Sequence, residues 1–311
     1  MGFNPIAENK TEKTEDELRE ERINAHHTEL NQIKRQATQE GKLHYDEQGK
    51  FEYAVAPNGE QSTLTEQQWC EVRSTNFKAW FGDWRRLYTL AHSEELSGQE
   101  KEELERLRQT TSKVVSPNGE PALYFHGTKW DFETFRPSDV PQKHEGVYFS
   151  QHIETARHYA GQDREGNIKQ EDLDHFNNRD MDMAKISKEE FKKAWFPWTK
   201  RKWLKSYIGW RKDARDPLKK MHSVVLPCYI KSVNPLVIDN GPRGGEWGGF
   251  DPTVKHYLKD KKEGNYDGAM FLNTYDSGPL GTVLNVVHSN QIKSAETNNG
   301  LYETSNDSIN S

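Results

Sequence analysis

The chain of 311 residues is short of cysteine and of long apolar runs. Its two cysteines, Cys70 and Cys228, make neither a disulfide framework nor a zinc site, both of which need several ligands at set spacings. No run of about 18 apolar residues occurs, which excludes an ordinary membrane-spanning helix. The opening MGFNPIAENKTEK lacks the apolar stretch of a secretory signal. It also lacks the Ser or Thr of a myristoylation signal. These absences give the expectation of a soluble protein of a reducing cytoplasm. Hydrophobic residues make up only 32% of the chain, below the ~45–50% of globular proteins. Part of the sequence should therefore be solvated helix, insertion or tail. Aromatic residues at 11%, nine of them Trp, exclude global disorder because such side chains need a packed place.

The net charge of -6 is unevenly spread. Between Phe191 and Lys220 eleven Lys and Arg face two Asp, a local balance of +9. Lys192 to Lys220 thus reads as a surface for an anionic partner. Trp195, Trp198, Trp203, Tyr207 and Trp210 are interleaved with these cations, as in surfaces that stack bases and hold phosphates. An amphipathic helix with its Trp face packed inward accounts for the same pattern equally well.

The patterning divides the chain. Residues 1–41 are a charged helical segment whose Leu18, Ile23, Leu30 and Ile33 form a stripe too thin for a core-facing helix. Its His26-His27 pair should face solvent. Residues 42–111 are a hairpin and Trp-rich lead-in, with a capping box expected at Thr63 and Glu66. There Phe77, Trp80, Phe81 and Trp84 recur at helical steps, a core face. Residues 97–109 read as a charged surface helix. Residues 112–298 carry short strands and helices without a βαβ rhythm, and an insertion at about 163–222. The predicted class is α+β, on mixed or antiparallel sheets. Residues 299–311 form a polar tail expected to fray.

Among motifs with chemical content, no phosphate loop occurs and GPRGGEWGG lacks the context of a dinucleotide fingerprint. No HExxH or CxxC is present. Cys70 lies in an aromatic helix and Cys228 in an apolar strand, where both read as buried small hydrophobes. What remains is Tyr124-Phe125-His126-Gly127-Thr128, then Gly146-Val147-Tyr148-Phe149-Ser150, then a helix whose Tyr159 lies eleven residues after Tyr148. Taken singly, His126 would be a satisfied polar residue and each Tyr a core aromatic. The combined spacing carries more information.

These segments resemble the signature strands of the diphtheria-toxin and poly(ADP-ribose)-polymerase branch of the ADP-ribosyltransferases. More closely, the chain resembles the ADP-ribosyltransferase domain of phage and plasmid polyvalent proteins. The matching segments are Arg73 to Trp84, Lys113 to Thr128, Asn234 to Asp239, Tyr266-Asp267-Gly268 and Asn290 to Ala295, in order over about residues 55–300. The resemblance implies a split β-sandwich with a helical N-terminal region and a basic-aromatic insertion. It implies NAD as substrate. His126 would hold the adenosine ribose, and the Gly127 backbone would pair with the nicotinamide amide. Tyr148 and Tyr159 would sandwich the nicotinamide ring, and Thr128 and Ser150 would join the cofactor site. The polymerase branch places a Ser where Ala156 stands and a Glu eight residues before the closing Gln. Counting back from Gln291 gives Val283. Asn285, on the same face two residues later, is the substitute, in a catalytic set with His126 and Tyr148. Asn273, Asp276 and Glu246 are further candidates for the missing polar group. The expected activity is mono-ADP-ribosylation of a host macromolecule by a mobile-element product, a toxin-like host modification in the cytoplasm. The alternatives are a catalytically inactive binding module of the same fold and an RNA-acting toxin.

Overall fold

The structure is a computed structural model that describes residues 13–129, 132–135, 146–171, 223–242, 244–246 and 265–311. The basic stretch from Lys192 to Lys220, and the anionic partner expected of it, fall outside the described residues. No helix among the described residues is long and apolar enough to cross a membrane.

Helix α1 (Glu15–Gln39) starts at a reciprocal capping box between Thr14 and Glu17. Leu30 and Ile33 rest against the core, as a thin stripe allows. The expectation of a solvent-facing histidine pair fails for His26, which is buried with its Nε2 3.0 Å from Glu71 Oε2. A carboxylate partner and a glycine make that burial feasible, since a Cβ at Gly300 would lie 2.0 Å from the imidazole. Strands β1 (Leu43–Tyr45) and β2 (Phe51–Ala54) form the expected hairpin. Helix α2 (Glu66–Glu71) is capped by Thr65 and Gln68 rather than by Thr63 and Glu66. The same sequence pattern recurs two residues on, and using it buries Leu64 and Trp69. In α3 (Thr75–Phe81) and at the start of α4 (Trp84–Ala91), Phe77, Trp80, Phe81 and Trp84 are all fully buried, as their spacing predicts. Helix α5 (Gly98–Thr110) lies on the surface but packs Leu104 and Leu107 against Leu90.

Eight strands form one mixed sheet among the described residues. They are β3 (Leu123–Thr128), β4 (Val147–Ser150), β5 (Val224–Ile230), β6 (Pro235–Asp239), β7 (Gly245–Glu246), β8 (Gly268–Tyr275), β9 (Gly281–Val286) and β10 (Ile292–Ser294). The order is β10-β5-β3-β4-β9-β8-β6, with β7 also beside β8. Only β6 and β7 run parallel to their neighbour, β8. Strand β3 pairs with β5 from Leu123↔Tyr229 to Thr128↔Val224, yet with β4 only at Phe125↔Ser150. The sheet is therefore split between β3 and β4, in keeping with the predicted α+β class. Helix α6 (Ile153–Ala160) follows β4 and packs on β3. Ahead of β3 the chain makes one isolated bridge, Val115↔Pro121.

The lead-in packs directly on this sheet. Trp69, Phe77, Trp80 and Trp84 share a cluster with Tyr229 of β5 and Tyr302. A buried ion pair joins the same parts, with Arg73 Nη2 2.8 Å from Glu120 Oε1 and their side chains 6% and 1% exposed. The Arg73 guanidinium lies 3.4 Å from the Trp69 ring centre. Glu120 also accepts from Ser62 Oγ at 2.5 Å and Asn118 Nδ2 at 3.2 Å. Burial lowers the Arg73 pKa to about 10, against the pull of Glu120.

The final segment is not a frayed tail. Leu301, Tyr302 and Ile309 are buried. The buried Lys293 ammonium donates to Asn306 O, Ser308 O and Ser311 Oγ at 2.7–3.0 Å. Polar composition misled here because a buried cation joins a few buried apolar side chains in organising the segment.

Removing one partner of a buried pair leaves the other charge uncompensated, at about 3–5 kcal/mol. Arg73→Met is expected to lower unfolding stability by that amount in urea denaturation. Arg73→Met/Glu120→Leu should recover most of the loss.

Candidate functional site

The split between β3 and β4 opens into a cavity of about 980 Å³, at the upper end of the ~300–1,000 Å³ usual for small-molecule sites. Its walls come from β3, β4, the 132–135 loop, α6 and the β8–β9 connection. His126, Gly127, Tyr148, Ser150 and Tyr159 all line it. The structure thus brings together five of the seven residues that the sequence selected.

His126 sits at the split. Its Nδ1 lies 2.8 Å from the Tyr148 carbonyl oxygen. A carbonyl only accepts, so Nδ1 carries the hydrogen and Nε2 is left as an acceptor in the neutral ring. Phe135 meets the imidazole edge-on at 4.9 Å, and Phe149 lies 5.5 Å away. Burial among these rings holds the His126 pKa below its ordinary 6.5, although the bond to Tyr148 opposes this. A neutral imidazole with a free acceptor suits a hydroxyl donor such as a ribose.

Gly127 is required by packing. A Cβ there would lie 1.7 Å from the Ala156 carbonyl oxygen, so only glycine lets α6 approach β3 this closely. Ala156, at 1% exposure, contributes to the same wall. Ser150 Oγ accepts from the His152 backbone N–H at 3.2 Å, which turns the chain from β4 into α6. Tyr148 packs beside Ala269, Phe271 and Val283. Tyr159, in the last turn of α6 and 44% exposed, donates its hydroxyl to Asp276 Oδ1 at 2.5 Å. Burial and that carboxylate raise the phenol pKa.

Two selected residues stand apart from the cavity. Thr128 is buried at the end of β3 and is not part of the lining. Asn285 pairs with Tyr148 in register but is wholly buried, its amide directly behind Gly146, where a Cβ would lie 2.7 Å from both amide atoms. Strand alternation put Asn285 on the correct face. The depth of the sheet at that point was not readable from one strand. Val283 is buried opposite Ser150. Asn273 donates to Asp239 Oδ1 at 2.7 Å, outside the cavity lining. Glu246 falls on β7, its side chain outside what the structure describes. Asp276 lines the cavity at 5% exposure, and burial raises its pKa. Phe132 and Phe135 also line it, and no motif in the sequence marks them. Both cysteines are buried, with Cys70 pushed up to about 11 and Cys228 higher, so neither thiol is ionised near neutrality.

The lowered His126 pKa has a definite sign. Below pH 6.5 the unfolded chain binds a proton that the folded imidazole resists, so this residue's contribution to stability falls on acidification. Wild type should lose more stability than His126→Gln between pH 7 and the acid side of that value, read as shifts in urea midpoint.

No curated protein and no solved structure is detectably similar to the chain. A family model described as ADP-ribosyltransferase in polyvalent proteins matches residues 116–302. That stretch covers more than half of the sequence and contains every strand of the large sheet, α6 and the whole cavity lining. The chain belongs to the ADP-ribosyltransferase family of polyvalent proteins.

Proposed function

We propose that the cavity binds NAD and that the protein transfers single ADP-ribose units from it to an acceptor macromolecule. The observation that carries this reading is the convergence of His126, Gly127, Tyr148, Ser150 and Tyr159 on one cavity at the split of the sheet. Cleavage of the nicotinamide–ribose bond passes through an oxocarbenium-like state, which demands a rigidly held ring and ribose and a site that tolerates positive charge. Tyr148 and Tyr159 supply aromatic faces for the pyridinium ring. Neutral His126 accepts from a ribose hydroxyl, and the Gly127 backbone reads the nicotinamide amide. Among the described lining residues the ionisable acids are Glu133 and Asp276, and there is no Lys or Arg. This balance suits the cationic end of NAD.

Transfer of one unit, rather than a growing chain, is favoured by Val283, which puts an apolar residue at the position where the polymerase branch carries its carboxylate. The acceptor is a host macromolecule, and the protein a mobile-element product that acts on it in the cytoplasm. A second reading, NAD binding without transfer, draws on the same valine.

Incubation with adenylate-labelled NAD and bacterial lysate tests both readings. Wild type should release nicotinamide and label an acceptor. His126→Ala should reduce release at least tenfold. Tyr159→Ala should weaken NAD binding by up to about tenfold, the loss of one aromatic stack of about 0.5–1.5 kcal/mol. NAD binding heat with neither release nor labelling selects the second reading, and absence of binding heat sinks both.

A further inference from the structure

We infer that the Asp276 carboxylate is the catalytic anion of the cavity, set against the positive charge that the ribose acquires as nicotinamide leaves. The inference rests on the NAD reading above and adds a residue and a role to it.

Position is the first support. Asp276 shares the cavity wall with His126, Tyr148 and Tyr159 and is 5% exposed, whereas Glu133, the other described acid of the lining, faces solvent. Backbone shape is the second. The pairing of β8 with β9 is interrupted by a bulge between Phe271 and Thr274, where Asn273 takes φ 53°. Ser277, directly after Asp276, takes φ 54°. A positive φ is uncommon outside glycine, asparagine adopting it more readily than serine, and here it occurs three residues before the carboxylate and again directly after it. Bulges beside a cavity re-aim side chains. Strained residues persist where their surroundings over-determine them, and this connection is fastened along its length. Asn240 Nδ2 donates to Thr274 Oγ1 at 2.9 Å, and Asn273 Nδ2 to Asp239 Oδ1 at 2.7 Å. His152 Nε2 lies 3.0 Å from the Leu280 carbonyl oxygen, and the Thr282 backbone N–H donates to Gln151 Oε1 at 3.0 Å.

The third support is the bond from Tyr159, 2.5 Å long. It fixes one carboxylate oxygen against the aromatic residue proposed to hold the nicotinamide, while the charge stays on the acid. Burial makes an isolated carboxylate costly, and the same low dielectric strengthens its attraction to a cation that forms nearby. A charged group already in place does not need to reorganise as the transition state develops.

In the step itself the C1′–N1 bond of NAD breaks, and its electron pair goes to the nicotinamide nitrogen, which leaves neutral. The positive charge, now shared by C1′ and O4′ of the ribose, is opposed by Asp276. A lone pair of the acceptor forms the new bond to C1′, and the acceptor's proton passes to solvent. Asp276 remains a carboxylate throughout.

Asp276→Asn in the full chain tests the assignment, because asparagine keeps an oxygen that accepts from Tyr159 and loses only the charge. We expect kcat for nicotinamide release to fall about 100-fold, the scale for removing one preorganised electrostatic contact. KM and the calorimetric Kd for NAD should stay within about twofold. Asp276→Ala supplies a second measurement, since added formate should restore part of its rate and chloride should not. The assignment is overturned if Asp276→Asn releases nicotinamide at the wild-type rate, or if NAD binding is lost in proportion to rate, which would make Asp276 a positioning residue for Tyr159. It is also overturned, with NAD binding intact, if wild type binds NAD and releases no nicotinamide. A wild-type chain with no NAD binding heat strikes the underlying reading instead.

Discussion

The hydrogen bond from the His126 ring to the Tyr148 carbonyl spans a place where, among the described residues, two neighbouring strands of the large sheet are nearly unpaired. Elsewhere adjacent strands are zipped through several register pairs. Between β3 and β4 the ladder shrinks to a single pair, and a side chain takes over from the backbone. Most backbone groups in a sheet must find partners, so a gap of this kind is stable only where side chains and a helix cover it. Here α6 covers it, and it comes close enough only because position 127 has no side chain. The cavity is a consequence of this arrangement. Each of its walls belongs to an element whose place is set by the parting of two strands.

Much of this was legible in the sequence. The aromatic face of α3 and α4, the first hairpin and the α+β class follow from spacing and turn chemistry, because they depend on neighbours in the chain. The convergence of His126, Gly127, Tyr148 and Tyr159 was legible through the motif, since a strand, a second strand and a helix in that order leave few ways to pack. Features that depend on distant partners were not legible. His26 looks solvent-facing until Glu71 and Gly300 are seen around it. Asn285 reads as a cavity residue by alternation, yet Gly146 lies between it and the opening. Asp276 was one of several candidates for the missing polar group, and the sequence could not single it out because a bulge and two residues of positive φ decide where it lies.

The lead-in before the family match plays a structural part. Arg73 and Glu120 lie on either side of the point where the match begins, and their pairing is nearly dry. Such a pair adds little net stability over an apolar replacement, but it is intolerant of a missing partner. It ties the loop that feeds β3 to the lead-in, and β3 carries His126 and Gly127. The Trp-rich helices thereby support the strand that bears two lining residues without themselves lining the cavity.

Residues 308 and 309 bear on the cavity from a distance. The Ile309 backbone N–H donates to the Glu133 carbonyl at 2.9 Å, and Thr134 bridges to Ser308, so the stretch bearing Phe132 and Phe135 leans on residues far along the chain. Phe132 and Phe135 line the cavity, so one of its walls is propped from behind by a segment that never reaches the opening. A change confined to residues 308 and 309 would loosen that wall while leaving the imidazole and both tyrosines in place.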